Sequence, residues 1–85
     1  MTYIDEESPS AFVELVNHIF EYGEPKIDDY DLDRCYLTVK TPDSIEKYTI
    51  RLLWFNEEKC EWVLFHHDKN GKTHNRRSGE YKFLK

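Results

Sequence analysis

The chain has 85 residues, 39% of them hydrophobic and 15% aromatic, enough for one small domain whose core needs neither disulfides nor metal. Charges are mixed locally and low-complexity runs are absent, which excludes a disordered chain. No apolar run approaches the ~20 residues of a membrane span, and the acidic residues 1–7 do not read as a secretory signal, so a cytoplasmic protein is expected. The net charge of −5 is uneven: residues 1–34 carry ten acids and two bases, residues 35–85 seven acids and ten bases. Such asymmetry speaks to partners rather than to fold.

Ser8-Pro9-Ser10 opens the first element, since serine suits the N-cap and proline the first helical turn. Phe12, Leu15, Val16 and Ile19, flanked by Val13 and Phe20, recur at three- and four-residue spacing. This predicts a helix over residues 9–22, stopped by Gly23 and Pro25. Residues 24–34 read as an acidic connection, with Ile27, Tyr30 and Leu32 as anchors. Residues 35–40 alternate as a strand, with Cys35, Leu37 and Val39 on one face. Thr41-Pro42-Asp43-Ser44 has turn chemistry.

Two runs rich in aromatic and β-branched residues follow, 48–55 and 60–65, separated by Asn56-Glu57-Glu58-Lys59. They predict an antiparallel hairpin at the centre of the fold. Tyr48, Ile50, Leu52 and Trp54 are expected to share a face in the first strand, and Cys60, Trp62 and Leu64 in the second. Val63 and Phe65 point the other way, so this second strand is expected to be covered on both sides. Asn70-Gly71 marks a tight turn. Residues 73–79 read as a polar, basic loop, and residues 81–84 as a short edge strand guarded by Lys82 and Lys85. The expected class is α+β, a single domain over residues 1–85 with one N-terminal helix on a four-stranded antiparallel meander. Cys35 and Cys60 are expected as buried thiols.

The densest group of titratable side chains is His66-His67-Asp68 with His74. Adjacent strand residues face opposite ways, so His66 and His67 do not suit one mononuclear metal site, and zinc-type spacings are missing. Neither a metal nor another cofactor is expected. His74, Arg76, Arg77 and Tyr81, with His66 or His67, make a conceivable acid–base and phosphate-clamping set for RNA cleavage. Arginine forks match phosphate geometry, and a histidine can move the 2′-hydroxyl proton. Arg51-Leu52, Asp68, Asn70-Gly71-Lys72-Thr73-His74 and Tyr81-Lys82-Phe83 resemble the tail of the TumE-type toxins of bacterial toxin–antitoxin systems. The resemblance spans residues 47–83 and implies RNA cleavage. The chain departs from that family in carrying Asn75-Arg76-Arg77 where a further histidine is expected.

Glu6, Glu7, Glu24, Asp28, Asp29, Asp31 and Asp33 offer a different chemistry, carboxylates spaced to compete with nucleic-acid phosphates for a basic groove. Leu52-Leu53, Trp62-Val63-Leu64 and Asp68-Lys69-Asn70-Gly71 resemble the sheet of the phage uracil-DNA glycosylase inhibitors, acidic proteins that occupy their enzyme's DNA groove. The inhibitors' Glu-Ser-Ile edge contact is replaced here by Glu7-Ser8-Pro9. From sequence, the leading expectation is therefore a small acidic anti-defence inhibitor, monomeric or homodimeric. It would bind a nucleic-acid-processing enzyme rather than DNA itself or a membrane. An RNA-cleaving toxin is the alternative, and an adaptor subunit exposing Tyr36, Val63 and Phe65 a third reading.

Overall fold

Phe12, Leu15, Val16 and Ile19 are all buried, and they line one stripe of helix α1 (Ser10–Ile19). The computed structural model describes residues 10–20 and 23–83; the expected helix ends at Pro9 and Tyr22, and the helix's serine cap, lie outside them. The stripe seats on one face of a sheet built from β1 (Glu24–Tyr30), β2 (Arg34–Lys40), β3 (Ile45–Phe55), β4 (Lys59–His67) and β5 (Thr73–Lys82). The strands lie antiparallel in chain order. Beneath the helix, Ile27, Cys35, Leu37, Ile50, Leu52, Cys60, Trp62 and Leu64 complete one apolar cluster.

The class is α+β, but the sheet has five strands rather than four. The acidic stretch expected to be a connection supplies β1. Its alternation is real but sparse: only Pro25 and Ile27 turn inward and are buried, between charged residues that face water. The basic stretch 73–79, expected to be a loop, belongs to the ten-residue β5. Both are edge strands, where one face of the backbone pairing is enough and polar side chains carry little penalty.

The turns follow their chemistry. Asn56 Oδ1 accepts the N–H groups of Glu58 and Lys59 at 2.8 and 3.0 Å, and Thr41 N–H reaches the Ser44 carbonyl at 2.8 Å. Gly71 takes a left-handed φ of 84° at the β4–β5 turn. Gly23, at φ 88°, is constrained further, because a Cβ there would lie 2.8 Å from Val39 Cγ1 and 3.1 Å from the Lys40 carbonyl oxygen. Gly23→Ala is expected to lower stability by at least ~1 kcal/mol, read from denaturant unfolding, while Gly71→Ala meets open space and suffers only the φ penalty.

Cys35 and Cys60 are wholly buried and unpaired. They sit on β2 and β4 with β3 between them, so two strand spacings of about 4.8 Å separate their rows, beyond the reach of a disulfide. Burial pushes the Cys35 thiol up to about 12 and the Cys60 thiol to about 11. Neither thiol should react with an aromatic disulfide reagent at neutral pH until the protein is denatured, when both should react.

Candidate functional site

A ten-residue helix is about 15 Å long, whereas the eleven-residue β3 spans about 33 Å. Among the described residues, the helix therefore leaves part of its own sheet face uncovered. At its C-terminal end Phe20 packs edge-on against Tyr48, with ring centroids 5.1 Å apart. Beyond Tyr48 the face turns from apolar to titratable.

There β3, β4 and β5 place Tyr48, His66 and His74 side by side in successive cross-strand positions. Tyr48 and His66 have centroids 5.1 Å apart, and His66 and His74 6.4 Å. Each imidazole holds its own carboxylate. His66 Nε2 lies 2.6 Å from Glu46 Oε2, and His74 Nε2 lies 2.9 Å from Asp68 Oδ2. Carboxylates only accept, so each Nε2 carries the donating proton and each Nδ1 is left for other work. His66 Nδ1 faces the Arg76 guanidinium at 3.4 Å, a group that only donates. His74 Nδ1 has no hydrogen-bond partner among the described residues, and its side chain is 48% exposed against 13% for His66.

The carboxylates are themselves prepared. The hydrogen bond from His66 holds Glu46 below the usual carboxylate range. Asp68 is lowered by His74 first, then by the backbone N–H of Lys72, and its Oδ1 also accepts from Asn70 N–H. The turn after β4 thus orients the acid that orients His74. Desolvation raises the Tyr48 hydroxyl above its ordinary value, so it stays protonated as a donor. A group depressed in the folded state stabilises the fold above its unfolded value and loses that contribution as pH falls through the folded value. Asp68→Asn should therefore have a lower thermal midpoint than the parent at pH 7. The difference should close as pH is taken from about 4 downward.

A cleft of about 410 Å³ adjoins the pair, walled by Glu46, Lys47, His66, His67, Asp68 and Lys69. Two lysines at its rim suit an anionic ligand. His67 points to the opposite sheet face, as strand alternation requires, and its Nε2 meets Thr49 Oγ1 at 2.5 Å. Among the described residues, no three His, Cys, Asp or Glu side chains converge as metal ligands.

The side chains expected for RNA cleavage divide. His74 and Arg76 come together with His66. Arg77 instead turns under the helix, donating to the Ile19 carbonyl at 3.4 Å and lying over the Trp62 ring. Tyr81 is seven residues along β5 from His74, roughly 23 Å at ~3.3 Å per residue, and it packs against His18 and, edge-on, against Phe83. Sequence reading missed Glu46 and Tyr48, whose membership depends on the β3–β4 register rather than on any local motif.

Of the acidic set, Glu6 and Glu7 lie outside the described residues. Glu24, Asp28 and Asp29 lie on the exposed edge strand β1, with Asp31 and Asp33 in the turn beyond it. Several already hold local donors: Asp28 accepts from Thr38 Oγ1, Asp29 from Tyr30 N–H at 2.8 Å and Asp31 from Leu32 N–H at 2.7 Å. Among the described residues no helix is long and apolar enough to cross a membrane.

No protein-family model, curated protein or solved structure matches the chain. The fold and site therefore define only a class, an α+β domain with a paired-histidine cluster at the open end of its sheet.

Proposed function

We propose that the protein is a ribonuclease that uses the 2′-hydroxyl of RNA as its nucleophile. One observation carries the reading: two imidazoles directly opposed across β4 and β5, each fixed by a separate carboxylate, with an arginine against one of them. Acid–base cleavage of a phosphodiester needs one group to take a proton and another to give one, both within reach of a single phosphate.

His66 serves as the base: its Nε2 proton is held by Glu46, so Nδ1 carries the lone pair, which is freed for the 2′-hydroxyl as the Arg76 guanidinium turns from it to the phosphate. It takes the 2′-hydroxyl proton as the 2′-oxygen forms its bond to phosphorus. His74, open to solvent, gives a proton to the departing 5′-oxygen as the old P–O bond breaks. Arg76 and the Tyr48 hydroxyl donate to the phosphoryl oxygens, where charge builds in the transition state. The products are a 2′,3′-cyclic phosphate and a free 5′-hydroxyl. The resemblance of residues 47–83 to the TumE-type toxins points the same way, and it includes Asp68 and His74.

The test is incubation with a single-stranded RNA and with the same strand carrying 2′-deoxy sugars, followed by analysis of the product ends. Cyclic phosphate from RNA, with the deoxy strand intact, supports the reading. An intact RNA, or equal cutting of both strands, would dispose of it.

A second reading, inhibition of a nucleic-acid-processing enzyme, is favoured by the exposed acidic edge at β1. There, and in the turn beyond, Asp28, Asp29, Asp31 and Asp33 would meet lysines and arginines of the target's groove. Such pairing steers encounter and weakens with salt. Capture of one nucleic-acid enzyme from lysate, unchanged after all four aspartates become asparagine, would remove this reading.

A further inference from the structure

The sheet face opposite the helix carries the second ligand surface. Across β2 and β3, Arg34 is directly opposed to Arg51, Tyr36 to Thr49, and Thr38 to Lys47; across β3 and β4, Thr49 is opposed to Phe65 and Lys47 to His67. Opposed residues share a face, so these side chains form one continuous patch. Like charges directly across a ladder are destabilising. Both arginines are exposed, and neither makes a salt bridge among the described residues. A pair of guanidiniums maintained at that cost to the sheet is explained by an anion that binds between them.

The patch also has what nucleobases need. Tyr36 is 41% exposed, and Phe65 is half-buried beside it. A recess of about 210 Å³ is lined by Arg34, Tyr36, Thr49, Arg51, Phe65 and His67. Aromatic rings interleaved with arginines on an open sheet are the elements of single-strand binding, with bases stacked on rings and phosphates held by cations. Acids on this face lie toward its margins, Glu24, Asp28 and Asp29 on β1, Glu61 on β4 and Glu80 on β5, with Asp28 reaching in as far as Thr38 on β2. The central strands β2 and β3 present only Arg34, Lys40, Lys47 and Arg51 as charged groups there. The local field is thus cationic although the whole chain is acidic.

His67 belongs to this recess and to the cleft beside His66. The two concavities therefore meet at the end of β4, with Lys47 and Lys69 at the crossing. We propose that the open face is a platform for single-stranded RNA, which passes over the end of the sheet at His67 to reach the His66–His74 pair. The proposal rests on the ribonuclease reading for the destination of the strand, but not for the platform itself.

Binding is measured directly, by fluorescence anisotropy of a labelled single-stranded RNA of about ten nucleotides, within the range one small sheet domain covers. His74→Ala is the background, so that no substrate is consumed. On that background Arg34→Gln with Arg51→Gln is expected to weaken binding at least tenfold. It should also lower the salt dependence by about 1.4 in log–log slope, for two lost phosphate contacts. Tyr36→Ala should weaken binding about tenfold. All three side chains are exposed, so the fold should survive, and His18→Gln on the helix, on the other side of the sheet, serves as a control that leaves binding unchanged. In the otherwise native enzyme, the arginine variant should raise KM for the long RNA and leave cleavage of a dinucleotide, too short to reach the platform, as it was.

RNA binding that is lost in the arginine variant, by a protein that cuts no RNA, would uphold the platform and sink the ribonuclease reading. Cleavage of long RNA at unaltered KM by the arginine variant would overturn the platform alone. Absence of RNA binding at low salt by the His74→Ala protein would also overturn it.

Discussion

If the protein is the ribonuclease proposed, replacing His74 with alanine is expected to lower RNA cleavage by about 10²–10⁴-fold, the usual contribution of one positioned proton-transfer group, and His66→Ala to do the same. The two losses do not add in the double variant, because acid and base act in a single displacement. His74 is half exposed and packs only on the margin of the core, so its removal should destabilise the fold no more than Asp68→Asn, which breaks the same pair. Arg76→Lys keeps the charge but loses the planar fork, and should retain only part of the activity. Wild-type cleavage by His74→Ala would rule out the assignment.

The central hairpin, the helix and three of the four turns between strands are legible because their signals are local: alternation, helical spacing, and residues with fixed turn chemistry. The edge strands are not. β1 has two inward residues, and β5 is polar along almost its whole length, its inner positions falling to His74, Arg77 and Gly79 before Tyr81. The candidate site is hidden for a related reason. His66 and His74 are visible as a cluster, but Glu46 joins them only through the pairing of Tyr48 with His66 across β3 and β4. Arg76 and Arg77 are indistinguishable in sequence. A register shift in β5 across Leu64 and Phe65 takes one to the histidines and the other to the helix carboxyl end, where a cation suits the exposed carbonyls. The charge asymmetry, by contrast, suggests an acidic first third set against a basic remainder. Folding places part of that acid along one sheet edge and gathers the cations of β2 and β3 on the open face.

The two tryptophans give the sharpest test of the fold. By alternation alone, Trp54 follows Tyr48, Ile50 and Leu52 on the inner face, and it should resemble Trp62. A bulge between Leu52 and Trp54 breaks that alternation and pairs Trp54 with Glu61, on the other side of the sheet. Trp54 is consequently 46% exposed, with Lys59 Nζ 5.6 Å from its ring, whereas Trp62 is 2% exposed. Trp62 lies against Gly79, the strand partner without a side chain; a Cβ there would sit 3.3 Å from the indole. Arg77 covers the ring from the same strand. Trp62→Ala should therefore cost about 3–5 kcal/mol, a large share of the stability of a domain this size. Trp54→Ala should cost no more than about 1 kcal/mol, the loss of a surface cation–π contact and some packing. Trp62→Phe should fall between, because it keeps an aromatic ring and removes an indole N–H that has no acceptor among the described residues. Gly79→Ala in the Trp62→Phe background should be milder than in the parent, since the smaller ring withdraws from the added methyl. Equal losses for the two alanine variants, measured by denaturant unfolding, would mean that the bulge is absent and that both rings share the core face.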